Sequence, residues 1–96
     1  MNETEFKLLL SQKENKDLDY KSELPDAKRV AQLVAAFYNS RGGRIVLGVE
    51  DESREPTGLD DAGKTEHKFV QIIRHWCKLD REPEIEFVKF RGRDNG

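Results

Sequence analysis

The stretch Phe37-Tyr38-Asn39-Ser40-Arg41-Gly42-Gly43-Arg44-Ile45-Val46-Leu47-Gly48-Val49-Glu50-Asp51 decides the fold. It joins the end of an amphipathic helix to a double-glycine turn, an apolar strand and an acidic pair. Gly42 and Gly43 can take positive φ without a Cβ penalty, so a helix can stop there and turn sharply. Arg44 to Val49 then reads as a strand. Its apolar residues, Ile45, Val46, Leu47 and Val49, form a nearly unbroken run, which suits a central strand covered on both faces. Glu50 and Asp51 fall at its C-terminal end.

Upstream of this stretch, Asp26 is placed to cap a helix that carries Val30, Leu33, Val34 and Phe37 at i, i+3, i+4 and i+7. Before it, Leu18 to Leu24 alternates, with Leu18, Tyr20, Ser22 and Leu24 on one face and Asp19, Lys21 and Glu23 on the other, the pattern of a strand with a charged outer side. Thr4 to Glu14 is expected to be a short helix capped by Thr4. Downstream, Glu52 to Gly63 is a polar loop, and Thr65 is expected to cap a helix burying Phe69, Ile72, Ile73 and Trp76. Lys68, Gln71, His75 and Lys78 lie on that helix's other side, a solvated or phosphate-facing stripe. Glu84 to Phe90 reads as a further strand, and Asp94, Asn95 and Gly96 are hairpin-turn residues. The chain thus stops where a partner strand is expected, and residues 1–96 read as one domain cut at its C-terminal hairpin, part of a longer protein. The order implies an α+β or α/β sandwich with helices packed on a mixed sheet.

Composition bounds the function. Ninety-six residues make one small domain, 38% charged and 35% hydrophobic, which buries only roughly 60 to 65% of its unfolded surface. The net charge is −2 and the pI about 5.7, so nucleic-acid binding would need a local basic patch rather than a global excess. The one cysteine, Cys77, cannot form an internal disulfide. No run is apolar enough for a membrane span or signal peptide, which points to the cytoplasm and away from a membrane partner.

Asp19-Tyr20-Lys21, the helix end Ala35-Ala36-Phe37-Tyr38-Asn39-Ser40, the pair Gly42-Gly43, and Gly48-Val49-Glu50-Asp51 with Gly58 following together resemble the Schlafen AlbA-like domain over about residues 14 to 90. That family runs glutamate-phenylalanine-lysine, a helix ending alanine-phenylalanine-alanine-asparagine, a glycine pair, and a strand ending glycine-valine-aspartate. Asp19, Tyr20 and Tyr38 depart mildly from it. The resemblance implies an Alba-like α+β fold, a two-layer sandwich of two main helices on a mixed sheet plus a short N-terminal helix. It also implies association with nucleic acid, DNA or RNA, in bacterial and archaeal transcriptional regulators, where a winged helix often follows. In the animal branch it implies RNA cleavage by three acidic residues. An older family label is ATP binding.

Glu14, Asp19 and Asp51 are the positions that match that acidic trio. Converging carboxylates could hold Mg or Mn, activate water and neutralise a phosphate; the bland reading makes them solvated charges or partners of Lys21 and Arg44. The glycine pair does not make a phosphate loop, because it follows a helix C-terminus, where the dipole disfavours anions, and no Gly-Lys-Ser or Gly-Lys-Thr occurs. Lys21, Lys28, Arg29, Arg41 and Arg44 are the basic residues nearest the central stretch and candidates for phosphate contact. Asn39 reads as a helix-end residue able to adopt the left-handed conformation, and Gly48, with Asn39, Gly42 and Gly43, belongs to the structural motif. His67 and His75 lack ligand partners at zinc spacing. Trp76 reads as core, and Cys77 as a structural thiol. The favoured function is a non-enzymatic nucleic-acid-binding module that needs no cofactor, contacting its partner through Arg41, Arg44, Lys21 and Lys28. The alternatives are a metal-dependent ribonuclease and an interaction domain that pairs two copies through an unpaired strand edge.

Overall fold

Short polar residues set the start of each helix in the computed structural model, which describes residues 1–80 and 83–88. Helix α1 (Glu3–Leu10) begins one turn's logic earlier than Thr4 suggests. Asn2 is the cap, accepting from the Glu5 N–H at 2.8 Å, while the Glu5 carboxylate accepts from the Asn2 N–H at 2.9 Å, a reciprocal capping box. Helix α2 (Ala27–Tyr38) starts on Asp26 as expected, its carboxylate accepting from the Arg29 N–H. Helix α3 (Ala62–Trp76) starts on Asp61 instead of Thr65, because Asp61 Oδ1 accepts from the Lys64 N–H at 3.0 Å and Gly63 is absorbed into the first turn.

Between α1 and α2 lies β1 (Leu18–Lys21), and between α2 and α3 lies β2 (Arg44–Leu47). They pair in parallel, Leu18 opposite Arg44 and Lys21 opposite Leu47, as a strand-helix-strand crossover requires. Both strands are shorter than their patterns suggest. After Lys21 the chain bends, so Leu24 packs with the Val30 cluster rather than sharing a face with Leu18 and Tyr20. After Leu47, Gly48 takes φ +86 and turns the chain, and Thr57 and Gly58 donate to its carbonyl at 2.8 and 2.9 Å. Val49 then bridges Pro56.

The α+β character stands, and among the described residues the sheet is two parallel strands rather than a mixed one. Its two faces bury separate cores. Phe6 and Leu9 of α1 pack with Leu18, Tyr20 and Val49, joined by Val46. On the other face Val30 and Val34 of α2 pack with Ile72 and Ile73 of α3, joined by Ile45. Adjacent residues of β2 thus serve opposite cores, which explains the unbroken apolar run. The further strand expected at Glu84–Phe90 is not formed over residues 84–88. Pro83 has no N–H to donate, and Glu86 pairs with the Met1 amino group instead of a neighbouring strand. Residues 89–90 and the expected turn at Asp94–Gly96 lie outside the described residues.

Trp76 is not core. It is 55% exposed, while Ile72 and Ile73 one turn earlier are buried. Helix α3 has 15 residues against 12 in α2. Trp76 sits on the solvent side of the last turn, while Ile73 before it and Cys77 and Leu79 after it pack on the second core.

Candidate nucleic-acid interface

The turn from α2 into β2 uses its glycines for two different reasons. Gly42 carries φ +94 and its N–H donates to the Phe37 carbonyl at 2.9 Å, closing the helix. Asn39 stays right-handed, with φ −82, so it does not take the left-handed role expected of it. Gly43 is needed for space: a Cβ there would lie 2.6 Å from the Phe37 ring and 3.0 Å from the Asp17 carbonyl. That close approach lets the Arg44 N–H donate to Asp17 at 2.8 Å and locks β2 against the start of β1.

The result is a solvent-open groove of about 430 Å³, walled on one side by Gln12, Asn15 and Asp17 and on the other by Arg41, Gly42, Gly43 and Arg44. Asn15 shapes the first wall, its Oδ1 accepting from the Asp17 N–H at 2.7 Å. Arg41 and Arg44 are both exposed. Among the described residues the ion pairs are Met1 with Glu86 and Lys21 with Asp19, so neither arginine is committed to one. Glu86 is held below the usual carboxylate range chiefly by the Met1 amino group and only lastly by Arg44. Among the described residues Asp17 is the acidic residue lining the groove, and Glu86 lies near enough to Arg44 to feel its charge.

Lys21 and Lys28 belong elsewhere. Lys21 closes β1 at the end opposite Arg44, its Nζ 3.1 Å from Asp19 Oδ2, and Lys28 is exposed on the first turn of α2, at that same far end. The structure does not bring them to the groove.

The acidic residues are separately employed. Glu14 Oε2 accepts from the Tyr20 N–H at 2.9 Å, covering a donor on the outer edge of β1, where Leu18 is already bridged to Asn15. Asp19 faces Lys21, and its Oδ2 is buried with no hydrogen bond, the lysine lying off its axis. Asp51 is exposed in the turn after Glu50. Glu50 is itself folded back on its loop, accepting from the Ser53 N–H at 2.7 Å and the Glu52 N–H at 3.0 Å, and these bonds, Ser53 first, hold its carboxyl below the ordinary range. Among the described residues no three of His, Cys, Asp and Glu gather in a way that could hold a metal ion. His67 and His75 stand exposed on α3, and Cys77 is half-buried against the second core.

Sequence reasoning missed the residue that steadies the groove's first wall. Tyr20 is fully buried, and its hydroxyl lies 2.8 Å from the carbonyls of Leu9 and Gln12, so it donates to the end of α1, to one carbonyl at a time. Burial pushes its pKa up, with Arg54 opposing. The signal available was the hydroxyl itself, in the one position of an apolar strand face where a buried donor needs an acceptor.

These features define a small α+β domain with an open, arginine-lined groove built on a turn. The sequence pattern of the family described as "Schlafen, AlbA_2" matches residues 14–94. The chain belongs to that family, and the match takes in both strands, α2, α3 and the groove's turn. No curated protein and no solved structure matches it. No helix among the described residues is long and apolar enough to cross a membrane.

Proposed function

We propose that this domain is a nucleic-acid-binding module of a transcriptional regulator, gripping the phosphate backbone through Arg41 and Arg44. The observation that carries the reading is that the two arginines line one open groove and neither is spent on an ion pair among the described residues. Guanidinium groups suit this task because they stay charged and bind phosphate through two parallel N–H bonds. Such contacts position the strand and carry no sequence information by themselves. Lys21, paired with Asp19, and Lys28, on the far side of α2, contribute to long-range attraction rather than to the grip.

The two other readings have less to rest on. Metal-dependent RNA cleavage would need Glu14, Asp19 and Asp51 together, whereas Glu14 serves the Tyr20 N–H and Asp51 sits in an exposed turn. Pairing of two copies needs the unpaired edge of a last strand at residues 84–90, of which residues 84–88 form no strand, and the outer edge of β1 is already occupied by the Glu14 and Asn15 contacts.

The test is fluorescence anisotropy with a labelled duplex across a salt series. Each phosphate contact contributes about −0.9 to the slope of log K against log salt for duplex, so Arg41→Ala with Arg44→Ala should flatten the slope by about 1.8. No binding of either duplex or single strand at low salt, or a slope unmoved by the double variant, refutes the proposal. Manganese-dependent degradation of RNA, lost in Asp51→Ala, would favour the ribonuclease.

A further inference from the structure

The end of the molecule that carries the groove also carries two exposed aromatic residues, Tyr38 and Trp76. Helices α2 and α3 pack against each other and both run from the C-terminal edge of the strands toward their N-terminal edge. The run of α3 follows from its start, just after the Gly48–Gly58 contact, and from its end, where the Asp80 N–H donates to the Tyr38 hydroxyl. Tyr38, the last residue of α2, and Trp76, the last of α3, therefore stand at the same end as Arg41 and Arg44. Tyr38 is 41% exposed and Trp76 55%. The His75 ring meets the Trp76 ring at 66°, with centroids 6.2 Å apart, which orients the indole while leaving more than half of that residue in solvent. The ends of α2 and α3 are tied together by the Asp80 N–H to Tyr38 hydroxyl bond, so the indole and the groove's arginines share one end of the molecule.

An exposed indole at the same end as guanidinium groups that form no ion pair among the described residues matches one ligand chemistry better than others. Single-stranded nucleic acid offers both a phosphate chain and unstacked base faces, and stacking on aromatic side chains is how proteins hold it without reading sequence. Duplex offers the phosphates but keeps its bases covered. We infer that Trp76, steadied by His75, is a base-stacking platform, and that the domain binds single strands in preference to duplex, with bases on Trp76 and phosphates on Arg41 and Arg44. This rests on the proposed nucleic-acid grip and adds to it the form of the ligand.

The chain contains one tryptophan, so its intrinsic emission reports on this position alone. Short unstructured oligo(dT) and oligo(U), and a duplex of the same length, are titrated into the protein at low salt, following both anisotropy of a label and Trp76 emission. The expected result is quenching by the single strands, little or none by the duplex, and tighter single-strand binding. Trp76→Ala should weaken single-strand binding about 5- to 160-fold and leave duplex binding unchanged, while Trp76→Phe keeps most of the affinity. Single-strand binding that is lost in the double arginine variant but leaves Trp76 emission unmoved overturns this inference and spares the phosphate grip; absence of any binding removes both. A concentration-dependent emission shift without nucleic acid assigns the indole to a second copy and also overturns it.

Discussion

Replacing Tyr20 with phenylalanine removes one oxygen from the most buried side chain of the first core, and its consequences can be worked out on both the stability and the pH axes. The hydroxyl lies 2.8 Å from two carbonyls at the end of α1. Leu9 O keeps a second partner, the Gln12 N–H at 3.0 Å, and Gln12 is exposed, so its carbonyl can rehydrate. The loss is therefore near that of one net hydrogen bond, about 1 kcal/mol, without the larger cost of a stranded acceptor. For a domain of this size that lowers Tm by about 4 to 8 °C. The pH dependence has a definite sign. Burial raises the Tyr20 pKa above its ordinary value of 10.0, so above that pH the unfolded chain loses this proton more readily than the folded one. The associated stability is fully present below the unfolded pKa and is lost as pH rises toward the folded one. Urea melts followed by circular dichroism should show wild type losing stability from about pH 10 upward more steeply than Tyr20→Phe. The reasoning fails if the variant is as stable as wild type at neutral pH, or if its alkaline limb is equally steep.

Other substitutions separate the roles assigned above. Gly43→Ala sets a methyl against the Phe37 ring and should cost about 1 to 3 kcal/mol, read as a lower urea midpoint with unchanged m. Gly42→Ala meets no atom within 4 Å but forces a positive φ, costing about 1 to 2 kcal/mol in the same melts. Asp61→Ala removes the α3 cap at about 1 kcal/mol, and Thr65→Ala should cost much less. Glu14→Gln keeps an acceptor for the Tyr20 N–H and should melt like wild type, whereas Glu14→Ala should melt lower; equal losses would mean that the charge, not the hydrogen bond, matters. Glu50, whose carboxyl is held low by the Ser53 N–H, contributes stability that is present above its unfolded pKa and lost as pH falls through the folded one, so Glu50→Gln should flatten the acid limb of a pH-stability curve.

What the sequence could show was set by range. Asp26 as a cap, the valines of α2 and the isoleucines of α3 are local signals, and the structure uses them as expected. Helix starts at Asn2 and Asp61 were also local, but two competing caps stood within a few residues of each, and only the hydrogen-bond geometry chooses between them. Strand lengths were overread because alternation continues in the letters after the backbone has turned: Leu24 and Val49 keep the pattern while a bend and Gly48 change which core they enter. Trp76 has the right periodicity for core, and its exposure depends on what the neighbouring elements cover, which no local window contains. The groove was half legible. Arg41 and Arg44 flank the glycine pair in sequence, but the opposite wall comes from Gln12, Asn15 and Asp17, brought there by parallel pairing of β1 with β2 and by the Tyr20 hydroxyl.

The groove's position in the fold also explains why side chains rather than backbone must do the gripping. It lies at the C-terminal end of α2, where the free carbonyls leave a partial negative charge, the reverse of the helix N-termini that hold phosphates through N–H groups. Asp17 adds a carboxylate to the opposite wall. An anion settling against the turn itself would meet repulsion, so the same field that holds Arg41 and Arg44 near the helix end requires the phosphate to be met by guanidinium groups reaching outward from it. A long flexible strand can satisfy this by lying across the rim, whereas a small free phosphate would have to enter the groove. Inorganic phosphate should therefore compete weakly with an oligonucleotide beyond its effect on ionic strength, and Asp17→Asn should tighten oligonucleotide binding by removing the groove wall's own negative charge, with a steeper salt slope as its signature.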